Sequence, residues 1–338
     1  MITQSYTLGQ IPANLPQSFP DPAGVCFLDI ETSGYARKNA RLCYAGCICP
    51  KDGLWSVRQW ILESKEDELL LLNLLAEHLS PWPVLAHFGG TSFDLPFLKK
   101  KFQAAKIPFD FGVSESFDLY RMLRPYQKLF RLEHMDQKTL EGFLGLRRGP
   151  QDNDLTMLPG LLPLLRVTDL LDGNFQVSSC NPLDTDTGFQ CELRLRTPEP
   201  LPVPLSHLCK DFYLKAEGRD VRLLVYGFRG TLKYFFPDYR NYYYLPAEDQ
   251  AVHRSVAAYV EKENRVPAKA ATCYIKKDGC FLPAPTPLSS QLFRAEYKSP
   301  DCWMLFPLEW EEKPEAAYPY AASLLSSAEL RKSFPTCN

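Results

Sequence analysis

Apolar residues in the first half of the chain fall into short runs separated by polar turns. Residues 24–30 (GVCFLDI) form an apolar stretch that meets an acidic pair after a proline-rich lead, the pattern of a buried strand. Residues 41–49 (RLCYAGCIC) and 54–62 predict two more strands, joined at Lys51-Asp52-Gly53 as an antiparallel hairpin. From residue 64 the period lengthens to that of a helix. Its first turn is biased acidic by Glu66, Asp67 and Glu68, and Leu69, Leu72, Leu75, Ala76 and Leu79 share one face before Pro81 and Pro83 stop it. Residues 84–87 (VLAH) predict another buried strand, followed by a Gly89-Gly90-Thr91 loop and a helix from Asp94 to Ala105. Residues 116–123 predict a strand running into a helix, and 138–144 a helix ending at Gly145. An apolar helical stretch over 155–171 is interrupted at Pro159 and Pro163.

After Asp172-Gly173 the texture changes to prolines and alternating segments. A strand is expected over 190–196, a stiff connector over 198–204 (PEPLPVP), and a meander over 212–216, 221–226 and 232–236 with turns at 217–220 and 228–230. A helix from 248 to about 264 and a hairpin over 272–281, turning at Asp278-Gly279, complete the pattern. The expected organisation is an extension over 1–23, an α/β domain over 24–172, and a smaller α+β domain with antiparallel strands over 173–338.

A chain of 338 residues, 45% of them hydrophobic, is more than one compact domain needs. A net charge of −2 and pI near 6.3 exclude a global positive field, so any nucleic-acid site must be local. The 11 cysteines are odd in number and contain no Cys-x-x-Cys pair, and the N-terminus has neither a basic leader nor an apolar core; a cytoplasmic location is expected. No apolar run approaches the roughly 18 residues of a membrane span. Cys43, Cys47 and Cys49 alternate on one strand face, where a core role is expected ahead of a metal site.

Asp29-Ile30-Glu31 places two carboxylates on one face at the end of a strand. Two neighbouring anions are unfavourable unless a cation neutralises them, and hard oxygen donors select Mg²⁺ or Mn²⁺. Taken alone, Asp-x-Glu is equally a polar strand end. A third carboxylate, Asp94, opens the helix after the next strand, where an N-cap would also account for it. A fourth, Asp154, precedes the long apolar helix, where a cap or turn role competes.

FLDIETSG, LAHFGGTSFDLPFL, SFDLYRMLRP and KTLEGFLGL, in this order between Phe27 and Leu146, resemble the YprB-like branch of the ribonuclease H-like exonucleases. The second half resembles that branch's companion region through YFFPDYRNYYYLPAEDQAVHRSVAAYVEKENR and ATCYIKKDGCFLP. The resemblance implies a ribonuclease H-like mixed sheet flanked by helices and a DEDD-type 3′-5′ exonuclease site. Its four acids fall on Asp29, Glu31, Asp94 and Asp154, which would hold two Mg²⁺ or Mn²⁺ ions. The substrate implied is a single-stranded DNA or RNA 3′ end, with Thr32 approaching the terminal sugar and Phe93 stacking on a base. Three departures accompany it: Gly89 stands where the family carries Asn, Pro150 where it carries the aromatic or imidazole base, and a helical stretch before the last motif is missing. The alternative expectation is a degenerate member that binds nucleic acid or a protein partner without hydrolysis. A transposase or resolvase of the same fold fits less well, because those enzymes present a single Asp on the first strand.

Overall fold

The structure, a computed structural model, describes residues 1–34, 40–112, 114–185, 188–284 and 291–331. Two compact units divide the chain: residues 1–171 with 199–203 and the segment from Leu330, and residues 172–198 with 204–329.

The first unit is built on a six-stranded mixed sheet. Its elements in chain order are β1 (Ile2–Gln10), β2 (Val25–Thr32), β3 (Leu42–Lys51), β4 (Leu54–Ile61), α1 (Asp67–Leu79), β5 (Val84–His87), α2 (Asp94–Ala104), β6 (Glu115–Asp118) and α3 (Leu119–Leu123). Short helices α4 (Gln127–Phe130) and α5 (Gln137–Phe143) lead to α6 (Asp154–Leu161) and α7 (Leu165–Leu171). The strand order is β1-β4-β3-β2-β5-β6, with β2 antiparallel to β3 and parallel to β5. The β3-β4 turn closes at Asp52 and Gly53, both at positive φ, as the Asp-Gly dipeptide predicts.

Alternation on β2 sorts its side chains. Cys26, Leu28 and Ile30 enter a core with Ala45, Cys47 and Cys49 of β3, Leu71, Leu72 and Leu75 of α1, and Phe97 of α2. Phe27 lies on the opposite face, stacked with Phe19 at 5.9 Å and edge-on to Trp55 at 5.3 Å, and Asp29 and Glu31 continue that face toward the strand end.

The second unit is smaller and almost wholly antiparallel. Strands β7 (Gln176–Thr185), β8 (Gly188–Arg196), β9 (Leu205–Leu208), β10 (Phe212–Glu217) and β11 (Asp220–Tyr226) form a sheet in the order β7-β8-β11-β10-β9. Strand β12 (Phe228–Phe235) joins a small closed barrel, while β13 (Tyr242–Leu245), β14 (Gln250–His253) and β15 (Val266–Pro267) form a three-stranded sheet beside the one-turn α8 (Arg254–Ala257). The barrel is completed by β16 (Tyr274–Pro283), β17 (Phe293–Arg294) and β18 (Trp303–Leu305), and α9 (Glu309–Glu312) and α10 (Tyr318–Leu325) follow. The expected fold class, a mixed α/β unit followed by a smaller antiparallel one, is the one observed.

Several local expectations fail for identifiable reasons. Residues 2–10 are not an extension but the edge strand of the first sheet, paired from Ile2↔Ile61 to Gln10↔Leu54. Almost every residue of β1 is exposed, so it carries no apolar alternation to betray a strand, and its ladder to β4 holds it. Asp278-Gly279 is no turn: β16 runs straight through it, with Gly279 opposite Gly230. A Cβ on Gly279 would stand 2.7 Å from Leu305 of β18, so the glycine serves close strand packing rather than reversal. The break expected over 228–230 narrows to Gly227, whose missing side chain leaves room for the Phe189 ring. No helix spans 248–264; Asp249, at φ 50, turns the chain into β14 and accepts hydrogen bonds from the Tyr244 and Tyr274 hydroxyls. Tyr239, Tyr242 and Tyr244 pack against a small apolar cluster of Ala251, Ala268 and Cys273.

In the first unit the segment before β2 is tied to α7 by one buried carboxylate. Asp169 accepts from the backbone N–H groups of Gln17 at 2.7 Å and Ser18 at 2.8 Å. Asp169→Ala leaves both donors unpaired and is expected to destabilise the fold by about 1–3 kcal/mol, read as a lower urea midpoint; an unchanged midpoint would show that this tether contributes nothing.

Candidate active site

Each expected acid is delivered by a separate segment. Asp29 and Glu31 come from β2 and face β3, where Gly46 pairs with Asp29 and Tyr44 with Glu31. Gly46 has no side chain for a physical reason: a Cβ there would lie 2.5 Å from Leu155 Cδ2, one residue into α6, and would also run into the Tyr44 hydroxyl. That close approach brings the first turn of α6, and with it Asp154, toward the strand carrying Asp29. Neither helix-opening acid is a cap. The α2 N-cap is Phe93, with no side-chain cap bond, and the α6 N-cap is Asn153, in a capping box with Thr156.

All four acids share one electrostatic environment. The Asp29 carboxyl is held well above the usual carboxylate range, first by burial and then by the charges of Asp94, Glu31 and Asp154, with Arg148 opposing. Asp94 is pushed up to about 7 by burial, Glu31 and Asp118. Among the described residues, no three carboxylates each bring an oxygen within 4.8 Å of the others. The acids are close enough to perturb one another's ionisation.

Groups that the sequence did not single out surround them. Asp118, the N-cap of α3, accepts from Gly89 N at 2.8 Å and from the Thr91 hydroxyl at 2.7 Å, and these bonds hold it below the usual range although burial pushes the other way. It thereby fixes the loop that leads to Asp94. Gly89, where Asn was expected, sits at φ 73, in the left-handed region that glycine and asparagine both tolerate. His87 is fully buried and lowered to about 4 by desolvation; its Nδ1 accepts from Gly90 N, so it is a neutral loop anchor.

The Tyr44 hydroxyl accepts from Asn153 Nδ2 at 3.1 Å and is pushed up by burial and by Asp29, so it stays protonated. Arg148 contacts Asp154 at 2.6 Å and grips both oxygens of Glu141 at 2.7 Å. His134 is exposed and acts on Asp136, while Lys101 pairs with Glu68 at 2.7 Å. Thr32 donates to the Gly34 carbonyl at 2.9 Å, and Phe93 stacks on Phe97 with ring centroids 5.9 Å apart.

Residues 26–159 match a family model described as the RNase_H superfamily. The first unit has a ribonuclease H-like fold. Among solved structures the chain is similar to an "ExoI/SSB-Ct complex", at 10% identity and TM-score 0.33 over 51% of this chain and 55% of that one. It is also similar to "The zinc ion bound form of crystal structure of E.coli ExoI-ssDNA complex", at 9% identity and TM-score 0.32 over 93% of this chain and 75% of that one. The chain thus spans little more than half the length of the first of these. No curated protein matches.

In this ribonuclease H-like unit the raised Asp94 sets a pH dependence. Between the unfolded value of 3.8 and the folded value of about 7 the native state holds the extra proton, so the contribution to stability is present below 3.8 and is lost as pH rises through 7. Asp94→Asn is therefore expected to be more stable than wild type at pH 8 in chelator, by about 1–2 kcal/mol after allowing for partial exposure. At pH 3 the difference should vanish. Urea titrations at the two pH values check this, and equal wild-type and variant midpoints at pH 8 would refute it.

Proposed function

We propose that the first unit is a divalent-cation-dependent nuclease that trims nucleic-acid 3′ ends. The observation supporting this is the burial of Asp29 among Glu31, Asp94 and Asp154, three acids from separate positions whose charges all oppose its ionisation. Partly buried acids that repel one another are a standing cost that a bound cation removes, and an all-oxygen donor set fits Mg²⁺ or Mn²⁺. Asp29 would serve two such ions, Glu31 and Asp154 one of them, and Asp94 the other. When bound, the pair would supply a hydroxide nucleophile and stabilise the departing 3′ oxygen.

The protein's own groups define the rest. Pro150 cannot orient a water, and losing a positioned base costs about 10² to 10⁴ in rate. The protonated Tyr44 hydroxyl, beside Asp29 and held by Asn153, would orient a water as a donor but would not take its proton. Thr32 and Phe93 flank the acids as candidates for the terminal sugar and base. This reading extends to the DEDD-type, YprB-like assignment and to single-stranded DNA or RNA as substrate.

Purified protein with Mn²⁺ or Mg²⁺ is expected to shorten a 5′-labelled single strand progressively, and Asp29→Ala to reduce this to background. Shortening that survives Asp29→Ala would reject the assignment.

A second reading rests on Arg148. Its contact with Asp154 places a fixed positive charge where a cation would otherwise be needed, as in a member that binds nucleic acid or protein without hydrolysis. In that case wild type shows no turnover and Arg148→Ala gains cation affinity; wild-type turnover abolished by chelator excludes it.

A further inference from the structure

On the sheet face opposite the acids, two thiols and one imidazole converge in the core beneath α1. Ligand atoms of Cys26 on β2, Cys49 on β3 and His78 on α1 all lie within 4.8 Å of one another. Cys26 and Cys49 are fully or nearly fully buried, and His78 is half-buried. Phe27 pairs with Ile48, so continuing the antiparallel register by one residue sets Cys26 opposite Cys49, while Cys47, opposite Leu28, shares their face. Cys47 is fully buried on the same face but stands outside that group of three. Cys43, expected beside Cys47 and Cys49, turns to the Arg41 carbonyl instead, and the neighbouring strand supplies Cys26.

We propose that Cys26, Cys49 and His78 bind a zinc ion that pins α1 to the centre of the sheet. The geometry fits. Cys49 Sγ and His78 Nε2 are 3.6 Å apart. With Zn–S of about 2.3 Å and Zn–N of about 2.0–2.1 Å, a tetrahedral ion separates such a pair by about 3.5–3.6 Å. Two sulfurs and one imidazole nitrogen form a soft donor set that favours zinc over the hard cations suited to the acids. The ring of Trp60 meets His78 edge-on at 5.4 Å and covers one side of the cluster. On binding, each ligating thiol releases its proton to solvent and no electron is transferred. This site is separate from the carboxylates and stands whether or not the chain hydrolyses anything.

The test uses the full chain purified under reducing conditions. Metal analysis is expected to find about one zinc per chain. Exchange into Co²⁺ is expected to give sulfur-to-metal charge-transfer absorption with the intense visible bands of a tetrahedral ion. Cys49→Ser and His78→Gln should each weaken zinc affinity roughly tenfold or more, whereas Asp29→Ala should leave zinc content unchanged. Should either ligand variant fail to fold, the wild-type cobalt spectrum still decides. Absence of both zinc and charge-transfer absorption overturns the proposal, as does bound metal lost in Asp29→Ala, or a Cys26–Cys49 disulfide found on non-reducing peptide mapping of the freshly purified chain.

Discussion

Like-charge repulsion at the end of the central strand is the constraint around which the first unit is organised. Burying one carboxylate costs free energy, and surrounding it with three more raises that cost, because each anion opposes ionisation of the others in a medium that screens poorly. The fold tolerates this through rigid delivery. Strand β2 fixes Asp29 and Glu31 by pleat alternation, the Asp118-anchored loop fixes Asp94, and close contact at Gly46 fixes Asp154. Each device lies outside the quartet, so the acids need no bonds to one another.

The two faces of β2 consequently hold different chemistry a few residues apart. Odd-numbered positions end in oxygen donors at the strand's edge, and even-numbered positions place a sulfur in a closed core. Hard and soft donors are thus kept apart by one strand's alternation. Arg148 adds a second layer, since by joining Glu141 to Asp154 it balances one acid internally and partly offsets the burial and like charges at Asp29.

Much of the first unit was legible because its strands are short apolar runs bounded by turn residues, and its acids sit at the end of the first strand and at the starts of two helices, places that a periodicity reading exposes. What escaped was whatever depends on partners remote in sequence. Strand β1 has no apolar face, so only its ladder to β4 defines it. Asp278-Gly279 has the composition of a reversal, yet packing of Leu305 makes it part of a straight strand. Cys26 was unremarkable until β3 set Cys49 across from it. Tyr44 and Arg148 sit in no motif, and tertiary contact alone brings them to Asp29 and Asp154.

The first unit is discontinuous in the chain, and this bears on how it is made. Leu201 and Val203 belong to it and are buried, Arg166 bonds the Pro200 carbonyl at 3.0 Å, and Leu330 is fully enclosed. A nascent chain that has emerged only as far as Leu171 therefore lacks pieces of its own interior. Ribosomal synthesis must deliver the chain as far as Leu330 before that interior can close, so the early portion awaits the late one, and a premature stop within the second unit would impair the first as well.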